Sequence, residues 1–180
     1  MTQMSNLPAK VIQFTGADGK GFVLQMGEVW HLQSRKEEIS SVNRVKAPEL
    51  MRAMEDGFSK LATMSAMVNS QLSKAEAMLK QRQSVVLLDV VPEYEKERGK
   101  MSADQRKALI LVDPEVQRLQ DVYDQLTALN RLLRDEMDGF RMAFSAVKKV
   151  YDGLSSYDGT NGQTEGSAKK YVPYTYDETK

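Results

Sequence analysis

Arg98, Lys100, Arg106 and Lys107 fall within ten residues of the chain, with Asp104 the one acid among them, so the stretch 98–107 carries a net charge of +3. Long cations in a polar connector suit phosphate contacts, which carry no base code and weaken with salt. Lys80, Arg82 and Lys96 stand near enough in sequence to join the same end of a chain that folds back on itself. The competing reading is a solvated connector with ordinary surface charge. Arg82 weighs against it, because the residue occupies a position where an apolar side chain would pack better. It either relieves a local change of register or serves a site. The neighbouring acids Glu93, Glu95 and Glu97 alternate with other residues and read as a solvated face.

Little else points to chemistry. There is no cysteine, and the single histidine, His31, has no carboxylate or thiol neighbours, which makes it a poor metal ligand. No nucleophile–His–acid arrangement, no HExxH and no paired acids in an apolar frame occur. "GADGKG" at 16–21 has a Gly-Lys pair, but four residues should separate the first Gly from it and a hydroxyl residue should follow. It reads as a turn. No catalytic residue, metal or cofactor is expected. Lys+Arg and Asp+Glu both number 25, so any electrostatic site has to be a local patch.

The elements that would position the cations are long helices. Apolar content of 41% can build a core, yet aromatics are only 7% and Met numbers 11, a mix better suited to helices than to a sandwich. Met54, Phe58, Leu61, Ser65, Val68, Leu72, Ala75, Leu79, Arg82 and Val86 alternate spacings of four and three, the period of a coiled-coil seam. Pro48 suits the first turn of that helix, and Pro92 is expected to end or kink it. "SADQ" at 102–105 is a capping box for a short helix over 103–110. "VDPE" then restarts the chain, with Asp113 as cap and Pro114 first inside. A second seam runs from Val112 to Leu154 through Val116, Leu119, Tyr123, Leu126, Asn130, Leu133, Met137, Phe140 and Phe144, and Asn130 is its one polar position. A lone seam Asn commonly fixes register or oligomeric state at some cost in stability.

Before the helices, VIQF at 11–14 and FVLQM at 22–26 flank the Gly-rich turn and read as a β-hairpin, which must pack on helices or pair with another chain. Residues 28–46 carry a weak helical pattern. After Asp152 the chain is rich in Gly and poor in aliphatics, and cannot bury enough to order itself. Lys169, Lys170, Tyr171, Tyr174 and Tyr176 lie there; they can stack on unpaired bases or dock as a peptide.

The fold expected is mainly α: a long antiparallel, coiled-coil-like helical hairpin with a small N-terminal β-hairpin and an irregular C-terminal tail. Residues 1–46 form the hairpin and connecting segment, 47–154 the helical hairpin, and 155–180 the tail. Pairing about the connector places Leu79 near residue 125 and Phe58 near residue 146. One hairpin would leave much of each stripe uncovered, so Leu119, Tyr123, Leu126, Asn130, Leu133, Met137, Phe140 and Phe144 are expected to serve a homo-oligomer. Nowhere do 18 apolar residues run together and no leader pattern opens the chain, so a cytoplasmic protein without a membrane span is expected.

"LKQR" at 79–82 late in a long helix, a polar connector, and "VDPEVQRL" opening a second long helix together resemble phage recombination mediators of the UvsY type. The resemblance covers roughly residues 72–150. It implies a small helical protein that forms ring-like oligomers, binds single-stranded DNA, and loads a RecA-like recombinase onto strands covered by a single-strand-binding protein. It would act in the cytoplasm of an infected bacterial host. Lys80 and Arg82 match the basic pair that would contact DNA. The aromatic pair and glycines that follow in the family are replaced here by Val85, Val86 and beyond, and the N-terminal hairpin and Tyr-rich tail have no counterpart.

The resulting function is a non-enzymatic, oligomeric single-strand DNA-binding mediator, with Lys80, Arg82, Lys96, Arg98, Lys100, Arg106 and Lys107 as the contact set. The alternative is a structural or assembly protein, a virion or scaffold component, acting through coiled-coil packing and extended termini. A small inhibitor of a host protein is a third reading.

Overall fold

The computed structural model of the chain describes residues 11–158. Two strands, β1 (Val11–Thr15) and β2 (Gly21–Gln25), form an antiparallel hairpin in which Phe14 faces Phe22. The turn closes through Gly16 N–H to the Lys20 carbonyl, 2.8 Å, and Gly19 takes φ 79°, where glycine carries no Cβ penalty. Helix α1 (Gly27–Ser34) and a 3₁₀ segment (Arg35–Ser41) lead into α2 (Ala47–Val85), which has Pro48 in its first turn. A π-helical stretch, Val86–Val90, joins α2 to α3 (Val91–Arg98); α4 (Ala103–Val112) and α5 (Pro114–Asp158) follow.

The arms of the hairpin are α2, of 39 residues, and α5, of 45. Their apolar stripes face one another. Met54, Leu61, Val68 and Ala75 of α2, and Leu119, Leu126, Leu133, Phe140 and Val147 of α5, are almost fully buried. Each fully buried large aliphatic or aromatic side chain contributes ~1.5–3 kcal/mol relative to exposure, so this seam is the main source of stability. Gly57 is essential to one layer: a Cβ there would lie 2.3 Å from the Phe140 ring, so the ring rests on bare α2 backbone. Lys36 sits over the same ring, 4.1 Å from its centroid. The β-hairpin docks on both arms. Leu24 and Ala17 are buried in the core, and the Ala17 carbonyl accepts from Arg118 Nη2 at 3.2 Å.

Several expectations are corrected. The eight α5 residues expected to serve a homo-oligomer pack within the chain. Leu119, Leu126, Asn130, Leu133 and Phe140 are buried against the first arm, and Tyr123, Met137 and Phe144 are half-buried against the same core. One hairpin therefore covers its own seams, because the β-hairpin, α1 and the 3₁₀ segment fill the flank the sequence left open. Val112 is not a seam residue: it is 62% exposed, since the backbone leaves the helix at Asp113 (ψ 122°) and resets the phase. Pairing is also displaced. Ser65 meets Asn130 and Arg82 meets Asp113, about two and a half helical turns from the expected partners. The helical arms continue almost to the tip, leaving a turn of residues 99–102 where a connector of about twenty was expected.

Pro92 does not end the first arm. The N–H of Val91 donates to the carbonyl of Val86, a five-residue step. This π insertion resets the bonding register just ahead of the residue that lacks a donor, and Pro92 falls in the first turn of α3. At the other end α5 runs through Asp158, past the boundary expected at 154. Residues 159–180, with Lys169, Lys170, Tyr171, Tyr174 and Tyr176, lie outside the described residues.

Candidate nucleic-acid interface

The tip of the hairpin is built by α3, the turn at 99–102 and α4. Gly99 ends α3 with φ 83°, and its N–H donates to the Glu95 carbonyl at 3.0 Å. Ser102 and Gln105 then form the reciprocal capping box: Gln105 N–H donates to Ser102 Oγ and Ser102 N–H to Gln105 Oε1. One carboxylate ties these pieces together. Glu95 Oε1 accepts from Met101 N–H at 3.1 Å and from Arg106 Nε and Nη2 at 3.1 and 2.7 Å. These bonds, the Met101 N–H first, hold Glu95 below its ordinary carboxyl range. Glu95, read in sequence as part of a solvated face, is thus the brace of the tip. The signal was present in a Glu and an Arg facing across a turn, but which of the three alternating acids would be used depended on the turn geometry.

A second brace stands at the base of the tip. Arg82 forms a fork-to-fork pair with Asp113, Nε–Oδ1 3.0 Å and Nη2–Oδ2 2.6 Å. Asp113 Oδ1 also accepts from the N–H groups of Glu115 and Val116, so the same carboxylate caps α5. Arg82 first, then these backbone donors, bring Asp113 down to about 2. This accounts for a cation on an apolar seam: it locks the start of α5 to α2 beside the π segment.

The seven cations assigned to nucleic acid therefore divide. Arg82 and Arg106 are committed to Asp113 and Glu95, and Lys80 pairs with Glu76 at 2.6 Å, which raises its pKa. Arg98 lies over the Tyr94 ring, 5.7 Å from its centroid. Among the described residues no carboxylate forms a salt bridge with Lys96, Arg98, Lys100 or Lys107, although the Lys100 charge also acts on Glu95. Arg98 and Lys100 border a cavity of about 370 Å³ between α3 and α4, lined further by Tyr94, Met101, Gln105, Ala108, Leu109 and Val112. Lys96 and Lys107 follow Tyr94 and Gln105 by two residues, about 200° round their helices, and project from the far faces of α3 and α4. The cations do not form one patch. Across 86–112 acids and bases are equal in number, five of each, so any pull on an anion at the tip is local.

Among the described residues no cluster of His, Asp or Glu could hold a metal ion, and no helix is long and apolar enough to cross a membrane. Compared with protein-family models, curated proteins and solved structures, the chain matches none.

Proposed function

We propose that the protein binds single-stranded DNA through the tip of its helical hairpin and acts, without catalysis, as a recombination mediator in the cytoplasm. The observation that carries this is the placement of Arg98 and Lys100, neither in salt-bridge contact with a carboxylate among the described residues, beside a groove lined by Tyr94 and apolar side chains. Cations beside an aromatic ring are what a flexible strand needs: phosphate neutralisation and a surface for exposed bases. The partners, a RecA-like recombinase and a single-strand-binding protein, come from the resemblance of "LKQR" and "VDPEVQRL" to UvsY-type mediators. Within it the contact set moves. Lys80 and Arg82 are held by Glu76 and Asp113, so the phosphate contacts fall to Arg98 and Lys100, with Lys96 and Lys107 on the far faces of α3 and α4 outside the set.

The test is fluorescence polarization with labelled single-stranded oligonucleotide over a salt series. Arg98→Ala with Lys100→Ala should weaken binding and flatten the log–log salt slope by ~0.7 for each phosphate that is no longer neutralised. Lys80→Ala should leave both nearly unchanged. Wild-type protein without salt-sensitive binding contradicts the reading.

A second reading, a structural or assembly protein, rests on a different observation. Leu88, Leu111 and Val112 at the base of the tip are 74%, 64% and 62% exposed. A second copy of the chain covering them would give the homo-oligomer, with its contact at the tip rather than along the seams. Sedimentation of wild-type protein and of Leu88→Lys with Leu111→Lys tests it: loss of the oligomer in the variant supports the reading, and a wild-type monomer at micromolar concentration opposes it.

A further inference from the structure

We infer that the cavity between α3 and α4 is a base pocket, taking one unstacked nucleobase of a single strand while Arg98 and Lys100 at its mouth hold the adjacent phosphates. This rests on the single-strand reading above and adds to it a specific subsite. Three features carry it. The groove is open, its lining residues exposed or half-buried, and its volume of about 370 Å³ has room for one base. The lining is mixed in the way a flat heteroaromatic requires. Tyr94, with Arg98 over its ring, lines one side, and Met101, Ala108, Leu109 and Val112 offer apolar contact. Gln105 supplies a polar edge: its Oε1 is taken by the Ser102 N–H at 2.8 Å, which orients the amide and leaves its Nε2 protons for an acceptor such as a base carbonyl.

The pocket is also rigid for a hairpin tip. The Glu95 brace joins its two walls through Met101 and Arg106, and the capping box fixes the first turn of α4. A preformed site avoids the ordering cost that a mobile loop would incur on binding. Apolar exposure at Val112, 62%, and Tyr94, 39%, leaves surface that a stacked base would cover. Arg98 over the Tyr94 ring occupies the position from which a guanidinium can meet both the ring and a phosphate.

The experiment compares oligothymidylate with an abasic oligonucleotide of equal length and charge, by polarization at fixed salt. Wild-type protein should prefer the base-bearing strand by about tenfold, the order of one stacked base. Ala108→Leu, which fills the cavity with an aliphatic group on a helix that tolerates it, and Tyr94→Leu, which removes the ring, should each bring the ratio close to one. In Ala108→Leu, which touches neither cation, affinity for the abasic strand and its salt slope should stay as in wild type, which also reports that the fold is intact. Equal wild-type binding of the two strands, or a preference that survives both variants, overturns the base pocket and leaves phosphate binding at the tip standing. Absence of binding to either strand overturns the single-strand reading and the pocket with it.

Discussion

Replacing Asp113 by Asn removes one charge while keeping a side chain that caps helices well. The substitution therefore isolates the ion pair with Arg82 from the two backbone bonds to Glu115 and Val116. In the folded chain the carboxyl titrates at about 2 rather than 3.8. By linkage that displacement corresponds to about 2 kcal/mol at neutral pH; Arg82 supplies the largest part and the Val116 and Glu115 N–H groups the rest, and with Arg82 36% exposed solvent screens the pair, which leaves about 1–2 kcal/mol for it. The folded pKa lies below the unfolded one, so the unfolded chain binds more protons between the two values. The contribution is complete above pH 3.8 and is lost as pH falls through about 2. Asp113→Asn should therefore be less stable than wild type by about 1–2 kcal/mol at pH 7 in urea unfolding followed by helical circular dichroism. The gap should close as pH drops from 4 to 2, because only the wild type loses the pair. Asp113→Ala should cost about 1 kcal/mol more, from the cap. A variant as stable as wild type at pH 7, or a gap that persists in acid, would refute the role given to this pair.

Gly57→Ala should destabilise by about 1–3 kcal/mol despite the better helix propensity of Ala, since its Cβ would meet the Phe140 ring at 2.3 Å; thermal melting checks this. Asn130→Leu alone should lower stability by about 1 kcal/mol, because Ser65 Oγ, buried and bonded to Asn130 at 2.9 Å, loses its partner. Adding Ser65→Ala should recover most of that loss, and failure to recover it in the same melts would remove the network explanation. Glu95→Gln should loosen the tip, speeding amide exchange at Met101 and in the first turn of α4 while the α2–α5 seam stays protected.

The seams were legible because period and capping are local. Every first-arm position read from 54 to 86 is buried or half-buried, and the Ser102 and Asp113 caps start α4 and α5 where their spacing placed them. Register was not legible, because it depends on the length of the turn, and α3 and α4 took residues assigned to a connector. Asn130, expected to fix register or oligomeric state, bonds Ser65 and Asn69 across the hairpin within the chain. The candidate site was legible in position and not in membership. A cation's commitment depends on which acid lies across the turn, and sequence spacing does not show that Arg82 reaches Asp113 or Arg106 reaches Glu95. Tyr94 and Gln105 were passed over because a single aromatic among acids and a capping Gln carry no signal until α3 and α4 are brought side by side.

The central claim, that a single strand lies on the hairpin tip, is tested most directly by ultraviolet crosslinking of the full chain to oligothymidylate, with the attachment sites located by mass spectrometry. Adducts are expected on peptides containing Tyr94, Met101 and Gln105, suppressed by high salt and by Arg98→Ala with Lys100→Ala. Crosslinks confined to the β-hairpin or to the flank of α2 around Lys80, with the tip unmodified, would contradict it.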